Sequence, residues 1–250
     1  MQPGTLVGFS YYDTWAEYVA LPVEWLIPLP SDYPIEKAAQ LVNPITAWDL
    51  LNESRVETSQ WLAVTAGNST VATMVLQFAK FREVNVISIV RRAQKDLDLK
   101  ALGASEVIEL SSLSGGIREQ IMEITENHGV DGVIDCVGGP LLGELIRCGA
   151  PGGRVILYGG YSPERFELHN FDLLMKGSAI KSYIYRYFFT PPQKEDAKLL
   201  REIVDISGRP EFTVPVGGLH PLEDFQSAIH ETANHPERGK RFFLISTLTD

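Results

Sequence analysis

A turn of sequence GNSTVA at positions 67–72 joins a strand-like apolar run to a helical pattern. In a βαβ unit, this turn lies where the free N–H groups of a helix N-terminus hold the pyrophosphate of a dinucleotide. Gly67 supplies the tight turn, Ser69 stands where a second glycine normally lets the backbone approach the phosphates, and Ala72 is small enough for close helix–sheet contact. Because two of the usual glycines are absent, a plain strand-to-helix turn capped by Ser69 or Thr70 is an equal interpretation.

Two arginines, Arg91 and Arg92, follow the second strand-like run. An NAD-binding domain places an acidic residue at this strand end to bind the ribose hydroxyls, and neither Asp nor Glu stands here. A guanidinium grips a 2′-phosphate bidentately, so the pair favours NADPH over NADH as the cofactor. The alternative is two solvated surface arginines.

Two later strand-like runs end in segments with paired glycines. Ligands of open α/β sheets bind beyond the carboxyl ends of the strands, and glycine there lets the backbone approach a flat ring. The predicted cofactor-lining residues are Cys136, Val137 and Gly138 after one strand, and Tyr158, Gly159 and Gly160 after the other. Turn formation is a second role for these glycines and is compatible with the first.

Regular alternation of apolar runs and helical segments from Trp61 onward supplies the elements that position these residues. Strands are predicted at 61–66, 84–90, 106–110, 132–137 and 154–159, and helices at 70–81, 94–102, 116–127 and 140–148. The runs are apolar on both faces, which is typical of a parallel sheet covered by helices on each side. The sequence therefore predicts an α/β fold with a doubly wound parallel (Rossmann) sheet and right-handed crossovers.

The two chain ends follow a different pattern. Residues 6–30 are rich in β-branched and aromatic side chains and predict two or three short strands, and residues 35–52 predict a helix that Pro44 breaks or kinks. The tail predicts helices at 170–175, 193–207 and 222–234 and strands at 178–184, 212–216 and 241–246. Short opening strands do not close a sheet alone, so we expect them to pair with the tail or with a missing segment.

Composition narrows the class of protein. The chain has 250 residues, of which 44% are hydrophobic and 22% charged, and this composition excludes collagen-like and disordered proteins. A net charge of −10 argues against nucleic acid or an anionic membrane as partner. The two cysteines and five histidines lack zinc-ligand spacing, so no metal is expected. Without a signal-like start or a membrane-length apolar stretch, a cytoplasmic protein is expected.

Several segments resemble, in the same order along the chain, the medium-chain dehydrogenase/reductase superfamily. They are TWAEYVALPVEWLIPLP, AAQLVNPITAWDLL, WLAVTAG, KALGASEVIE, GVDGVIDCVGG, GGRVILYGG and GKRFFLI. Within that superfamily, NPITAW together with AGNSTVA and YGGYS is most similar to the zinc-independent quinone reductase and trans-2-enoyl-CoA reductase branch.

The resemblance implies a set of NADPH-binding positions. They are Asn43 and Thr46 on the helix that faces the nicotinamide, Asn68, Ser69 and Val71 in the pyrophosphate loop, Arg91 and Arg92 at the 2′-phosphate, Gly138, Gly159 and Gly160 in lining turns, and Lys240 in the closing motif. Thr70 and Ala72 depart from the two usual glycines of the loop.

The resemblance also implies a domain order. A remnant of a GroES-like catalytic domain is expected at 1–40, a dinucleotide-binding domain at 41–190, and a C-terminal segment that returns to the catalytic domain at 191–250. Family members carry a larger N-terminal lobe, from which enoyl reductases draw a catalytic tyrosine. The proton donor is therefore unassigned here, and Tyr11, Tyr12 and Trp48 are the aromatic candidates.

The expected activity is zinc-independent transfer of hydride from NADPH to an activated alkene (an enone or enoyl thioester) or to a quinone. The resemblance implies a homodimer that acts on a small molecule. One alternative is a non-catalytic NADPH-binding protein that acts as a cofactor sensor or partner subunit. Another is a scaffold that binds no cofactor.

Overall fold

The computed structural model describes residues 1–235 and 238–245 of the chain. The chain divides into two compact units: Met1–Thr46 with Tyr185–Asp250, which we call the end unit, and Ala47–Ile184, which we call the sheet unit. The domain boundaries expected between residues 40 and 41 and between residues 190 and 191 stay a prediction.

The end unit begins with two very short strands, β1 (Val7–Gly8) and β2 (Ile27–Pro28), which pair with each other antiparallel. Pairing with the tail was one of the two expected arrangements, and among the described residues the two strands do not pair with the tail. Two helices follow along the chain, α1 (Ile35–Ala38) and α2 (Val42–Ser54), and the part of α2 from Ala47 onward belongs to the sheet unit.

The helix predicted at 35–52 is interrupted at 39–41, shortly before Pro44. Pro44 is the third residue of α2. N–H groups in the first turn of a helix have no intrahelical acceptor, so a proline there removes no hydrogen bond. In an uninterrupted helix, by contrast, Pro44 would leave the Gln40 carbonyl oxygen without its N–H donor, so the break before it agrees with the prediction.

The sheet unit holds one six-stranded parallel sheet. Its strands are β3 (Trp61–Val64), β4 (Asn85–Val90), β5 (Glu106–Glu109), β6 (Val130–Asp135), β7 (Gly149–Leu157) and β8 (Ala179–Ser182), in the spatial order β5-β4-β3-β6-β7-β8. This is the strand order of a doubly wound dinucleotide-binding sheet, and the predicted Rossmann fold is confirmed.

The helices of this unit are α3 (Thr70–Phe81), α4 (Leu99–Leu102), α5 (Ile117–Ile124), α6 (Gly139–Arg147) and α7 (Asn170–Leu174). Helix α3 has the predicted bounds. Helix α4 is much shorter than the predicted 94–102, because the Asp98 side chain caps it by accepting a hydrogen bond from the Ala101 N–H at 3.0 Å.

Branched apolar side chains from the strands and helices form the core of the sheet unit. Ile87, Ile108, Val133 and Leu145 are each at most 1% exposed and belong to one buried cluster. Full burial of such a side chain contributes about 1.5–3 kcal/mol to folding. The core holds the sheet rigid, and the strand ends therefore have fixed positions.

The tail belongs to the end unit and contains α8 (Ala197–Ser207), β9 (Val216–His220), α9 (Phe225–Asn234) and β10 (Lys240–Phe243). Strands β9 and β10 are parallel partners. The strand predicted at 212–216 is wrong, because Phe212 is buried in a turn and the strand starts only at Val216. Residue 246 of the last predicted strand lies outside the described residues.

Both chain ends meet within the end unit. Tyr33 Oη lies 2.8 Å from Ser207 Oγ, and Lys37 Nζ donates a hydrogen bond to the Arg209 carbonyl oxygen at 2.7 Å. Burial lowers the pKa of Lys37. None of the helices described is both long and apolar enough to cross a membrane.

Candidate functional site

The centre of the sheet is a topological switch point. Strands β3 and β6 are neighbours there, and the connections that follow them run in opposite directions along the sheet. Such a point leaves a crevice beyond the carboxyl ends of the two strands. The residues that follow β3 and β6 therefore form the natural ligand site of this fold.

Asp135 joins these two strand ends. Its carboxylate is fully buried and accepts hydrogen bonds from the Thr65 hydroxyl at 2.7 Å, the Val137 N–H at 3.3 Å and the Gly138 N–H at 2.8 Å. The Thr65 hydroxyl in turn accepts from the Cys136 N–H at 3.2 Å. Asp135 was not among the predicted site residues, although a carboxylate at the end of an apolar strand is expected to be buried and a buried carboxylate needs partners.

Gly67 is required by a close approach between two strands. A Cβ atom at this position would lie 2.0 Å from Ser88 Oγ and 3.1 Å from Val90 Cγ1, so β4 leaves no room for a side chain. The Gly67 N–H donates to the Ile89 carbonyl oxygen at 2.9 Å. The residue with left-handed backbone geometry in this turn is Ala66, with φ of +50°.

Ser69 is the N-cap of α3. Its backbone is extended, with φ of −73° and ψ of 154°, and its side chain accepts a hydrogen bond from the Ala72 N–H at 3.3 Å. The N–H groups of Thr70 and Val71 have no acceptor within the described ranges. Two donors at the positive end of a helix dipole are thus available to an anion.

Arg91 and Arg92 follow β4 directly, and both side chains are exposed. In the part of the chain that the structure describes, neither guanidinium has a hydrogen-bond or ion-pair partner. Asn68 links this segment to the glycine turn, since its Nδ2 donates to the Arg92 carbonyl oxygen at 2.8 Å. The buried Asn68 Oδ1 has no partner among the described residues. The structure therefore places two free guanidiniums beside the turn.

Tyr158 connects the end of β7 to the same turn. Its hydroxyl lies near the side chains of Cys136 and Ser69, and burial raises its pKa well above the usual range. Burial also raises the pKa of the Cys136 thiol, so the thiol is protonated near neutral pH. A Cβ atom on Gly159 would lie 2.9 Å from Cys136 Cβ, so this glycine is needed for close packing of the two strand ends.

The remaining predicted lining residues follow β6 and β7. Gly138 has φ of +75°, a conformation that favours glycine, and a Cβ atom there would meet nothing within 4 Å. Gly160 is exposed and equally unobstructed. The Val137 carbonyl oxygen accepts from the Ser162 N–H at 2.8 Å.

Three predicted cofactor residues lie in the end unit. Thr46 Oγ1 donates to the Val42 carbonyl oxygen at 2.8 Å, Asn43 Nδ2 donates to Gln40 Oε1 at 3.3 Å, and Lys240 is the exposed first residue of β10. Their role toward a cofactor stays a prediction.

The aromatic candidates for proton donation are packed against other rings. Tyr11 makes edge contacts with Tyr12 and Trp25, with ring centroids 5.9 and 5.3 Å apart. Trp48 is 6% exposed and lies beneath the guanidinium of Arg82, 4.1 Å from its ring centroid. Trp48 thus contributes to the core of the sheet unit.

Within residues 1–235 and 238–245, no group of three or more His, Cys, Asp or Glu side chains could hold a metal ion.

A family model described as zinc-binding dehydrogenase matches residues 70–204, which is more than half of the chain. The chain is 29% identical over 232 residues to a mitochondrial enoyl-[acyl-carrier-protein] reductase of Bos taurus, and 30% identical over 225 residues to the protein of that name in Homo sapiens. These alignments cover 89% and 86% of this chain but 61% and 59% of the relatives. The chain therefore spans about three fifths of the length of these relatives.

The fold is also similar to that of solved structures. An Escherichia coli quinone oxidoreductase complexed with NADPH superposes with a TM-score of 0.76 at 21% identity, over 89% of this chain and 69% of that protein. At this identity the similarity concerns the fold.

Proposed function

The chain belongs to the zinc-binding dehydrogenase family, in the zinc-independent reductase branch of the medium-chain dehydrogenase/reductase superfamily, and from this premise we propose that it is an NADPH-dependent oxidoreductase. The proposed reaction transfers hydride to an activated alkene (an enone or an enoyl thioester) or to a quinone.

The observation that carries this proposal is the set of unpaired cationic and N–H donors at the carboxyl edge of the sheet. The N–H groups of Thr70 and Val71 are free, and the guanidiniums of Arg91 and Arg92 are free and exposed beside the same turn. NADPH carries a pyrophosphate and a separate 2′-phosphate, so it presents anions to both groups. The residues present therefore fit the cofactor.

Each predicted residue has a proposed role in binding. Gly67, Asn68, Ser69, Thr70 and Val71 would hold the pyrophosphate, and Arg91 and Arg92 the 2′-phosphate. Cys136, Val137, Gly138, Tyr158, Gly159 and Gly160 would line the crevice, and Asn43, Thr46 and Lys240 stay predicted contacts of the cofactor.

The bound nicotinamide supplies a hydride to an electron-poor carbon, while the protein supplies orientation and electrostatics. Reduction of a conjugated alkene places negative charge on the carbonyl oxygen, which needs a hydrogen-bond donor, and a proton then adds to the α-carbon. For a quinone, the corresponding oxygen takes the proton. The neutral Cys136 thiol and Tyr158 hydroxyl leave the crevice without negative charge at those two positions.

The names of the relatives support an enoyl thioester as the substrate class, and that of the solved structure supports a quinone. We favour the enoyl thioester, because the enoyl reductases show the higher sequence identity. A small-molecule substrate follows in either case. The cytoplasmic location stays a prediction, and both curated relatives are named as mitochondrial.

A homodimer is part of the proposal. Strand β8 is an edge strand, and all four of its residues are exposed. Phe171, Leu174 and Met175, in and just after α7, are also exposed, at 56%, 71% and 73%. Unpaired edges beside apolar side chains favour pairing with a second copy.

The test is a fluorescence titration of the purified chain with NADPH and NADH, followed by NADPH oxidation assays with an enoyl thioester, an enone and a quinone. We expect preference for NADPH and turnover of at least one acceptor. Binding of NADPH without turnover of any acceptor would favour the non-catalytic alternative. Failure to bind either nucleotide would overturn the proposal.

A further inference from the structure

A cavity lies at the amino edge of the sheet, opposite the carboxyl edge that holds the crevice. Its volume is about 190 Å³, and it is lined by Ser54 and Arg55 at the end of α2, by Gln60 before β3, by Asp131 in β6 and by residues 151–154 of β7. Gly132 of β6 pairs with Arg154 and with Leu62 of β3, so the cavity sits at the amino ends of the central strands.

The acceptor groups of this cavity are already used. Asp131 Oδ2 accepts from the Trp61 N–H at 2.9 Å, and Asp131 Oδ1 lies 3.0 Å from His128 Nε2. Gln60 Oε1 accepts from the Glu57 N–H at 2.8 Å. The side-chain oxygens of Asp131 and Gln60 therefore already have hydrogen-bond partners.

The donor groups, by contrast, are free. Throughout the described residues, the guanidiniums of Arg55 and Arg154 and the Gln60 side-chain NH₂ group have no hydrogen-bond or ion-pair partner. The chain has 32 acidic residues against 22 basic ones, so arginines have abundant opportunity to pair. Two unpaired arginines that line one cavity supply hydrogen-bond donors and positive charge to an external anion.

We propose that this cavity binds a phosphate group, either as inorganic phosphate or as the terminal group of a phosphate monoester. Each planar guanidinium fork pairs with two oxygen atoms. Two forks can share the four oxygens of phosphate, whereas a carboxylate has only two. With Arg55 and Arg154 against Asp131, the cavity has a formal charge of 2 − 1 = +1, which suits an anion. The proposal is independent of the proposed reductase activity.

Calorimetric titration of the full chain with sodium phosphate, methyl phosphate and sodium acetate tests this site at constant pH and ionic strength. The variants are Arg55→Gln and Arg154→Gln. The matched control is Arg118→Gln, which removes an exposed arginine of α5 that does not line the cavity. The double variant Arg91→Ala/Arg92→Ala separates this site from the nucleotide crevice.

We expect inorganic phosphate or methyl phosphate to bind, with the affinity reduced about tenfold or more in Arg55→Gln and Arg154→Gln and unchanged in Arg118→Gln. The Arg91/Arg92 variant should retain this binding. If Arg154→Gln does not fold, as judged by circular dichroism, the exposed Arg55 still provides the test. Three results would overturn the proposal: no binding of either phosphate, equal affinity for acetate, or full affinity in Arg55→Gln.

Discussion

Thr65 Oγ1 donates a hydrogen bond to Asp135 Oδ1 across 2.7 Å, although the two residues are 70 positions apart. The same carboxylate accepts the Gly138 N–H, so it ties the end of β3 to the turn that follows β6. Both partners are fully buried, so the bond holds the two strand ends together at the topological switch point.

Replacement of Asp135 by alanine should lower the free energy of unfolding by about 3 kcal/mol, since it leaves buried N–H and hydroxyl donors without acceptors. Urea denaturation measures this change. Asp96→Ala, which removes an exposed carboxylate without a partner in the described chain, is the control. Equal midpoints for the two variants would contradict the role assigned to Asp135.

Gly67→Ala should destabilise the chain by about 1–3 kcal/mol, because the added Cβ meets Ser88 Oγ. Gly160→Ala is the matched control, since a Cβ there meets nothing within 4 Å. Adding Ser88→Ala to Gly67→Ala removes the closest atom and should restore part of the stability and of the NADPH affinity. Thermal unfolding midpoints of the wild type, the two single variants and the double variant measure these effects. Equal midpoints for Gly67→Ala and Gly160→Ala would refute the steric argument.

Two substitutions of Ser69 separate helix capping from cofactor binding. Ser69→Ala loses the cap and should cost about 1 kcal/mol of stability. Ser69→Asp retains a capping oxygen and complements the helix dipole, so its stability should match that of the wild type. Its carboxylate would nevertheless repel a pyrophosphate, and NADPH affinity should fall more in Ser69→Asp than in Ser69→Ala. The reverse order of affinities would exclude this turn from the cofactor site.

The double variant Arg91→Ala/Arg92→Ala should weaken NADPH binding by about tenfold or more, because each guanidinium contributes charge-assisted hydrogen bonds to a 2′-phosphate. NADH lacks that phosphate, so its affinity should change little. Fluorescence titration measures both constants, with Arg118→Ala as the control for net charge. An equal loss of affinity for NADPH and NADH would contradict the assignment of Arg91 and Arg92 to the 2′-phosphate.

Cys148 predicts a pH dependence of stability. Burial raises the pKa of its thiol from 9.0 to about 11 in the folded chain. A group with a raised folded-state pKa stabilises the fold below its unfolded pKa, and this contribution is lost as pH rises through the folded value. The free energy of unfolding should therefore fall between pH 9 and 11, by roughly 2 kcal/mol more in the wild type than in Cys148→Ala. Parallel pH profiles of the two proteins in urea denaturation would contradict the prediction.

The alternation of strands and helices was predictable because hydrophobic periodicity is a local property. Helix α3 has the predicted bounds, and the strands of the sheet lie within or near the predicted runs. The ends of the chain were harder to predict. Strand β9 depends on pairing with β10. Short strands were predicted within 6–30, where β1 and β2 lie, but their two-residue lengths and their pairing with each other were not predicted.

Within the candidate site, the sequence by itself determined residue types at strand ends, such as Gly67 after β3 and Arg91 after β4. Only the tertiary structure decided what these residues do to one another. Gly67 is needed because Ser88 lies against it, and Asp135 matters because Thr65 and Gly138 converge on it. The amino-edge cavity likewise joins Arg55 to Arg154, nearly a hundred positions away. Such contacts follow from strand order and register, which place distant segments side by side and leave no trace in local sequence.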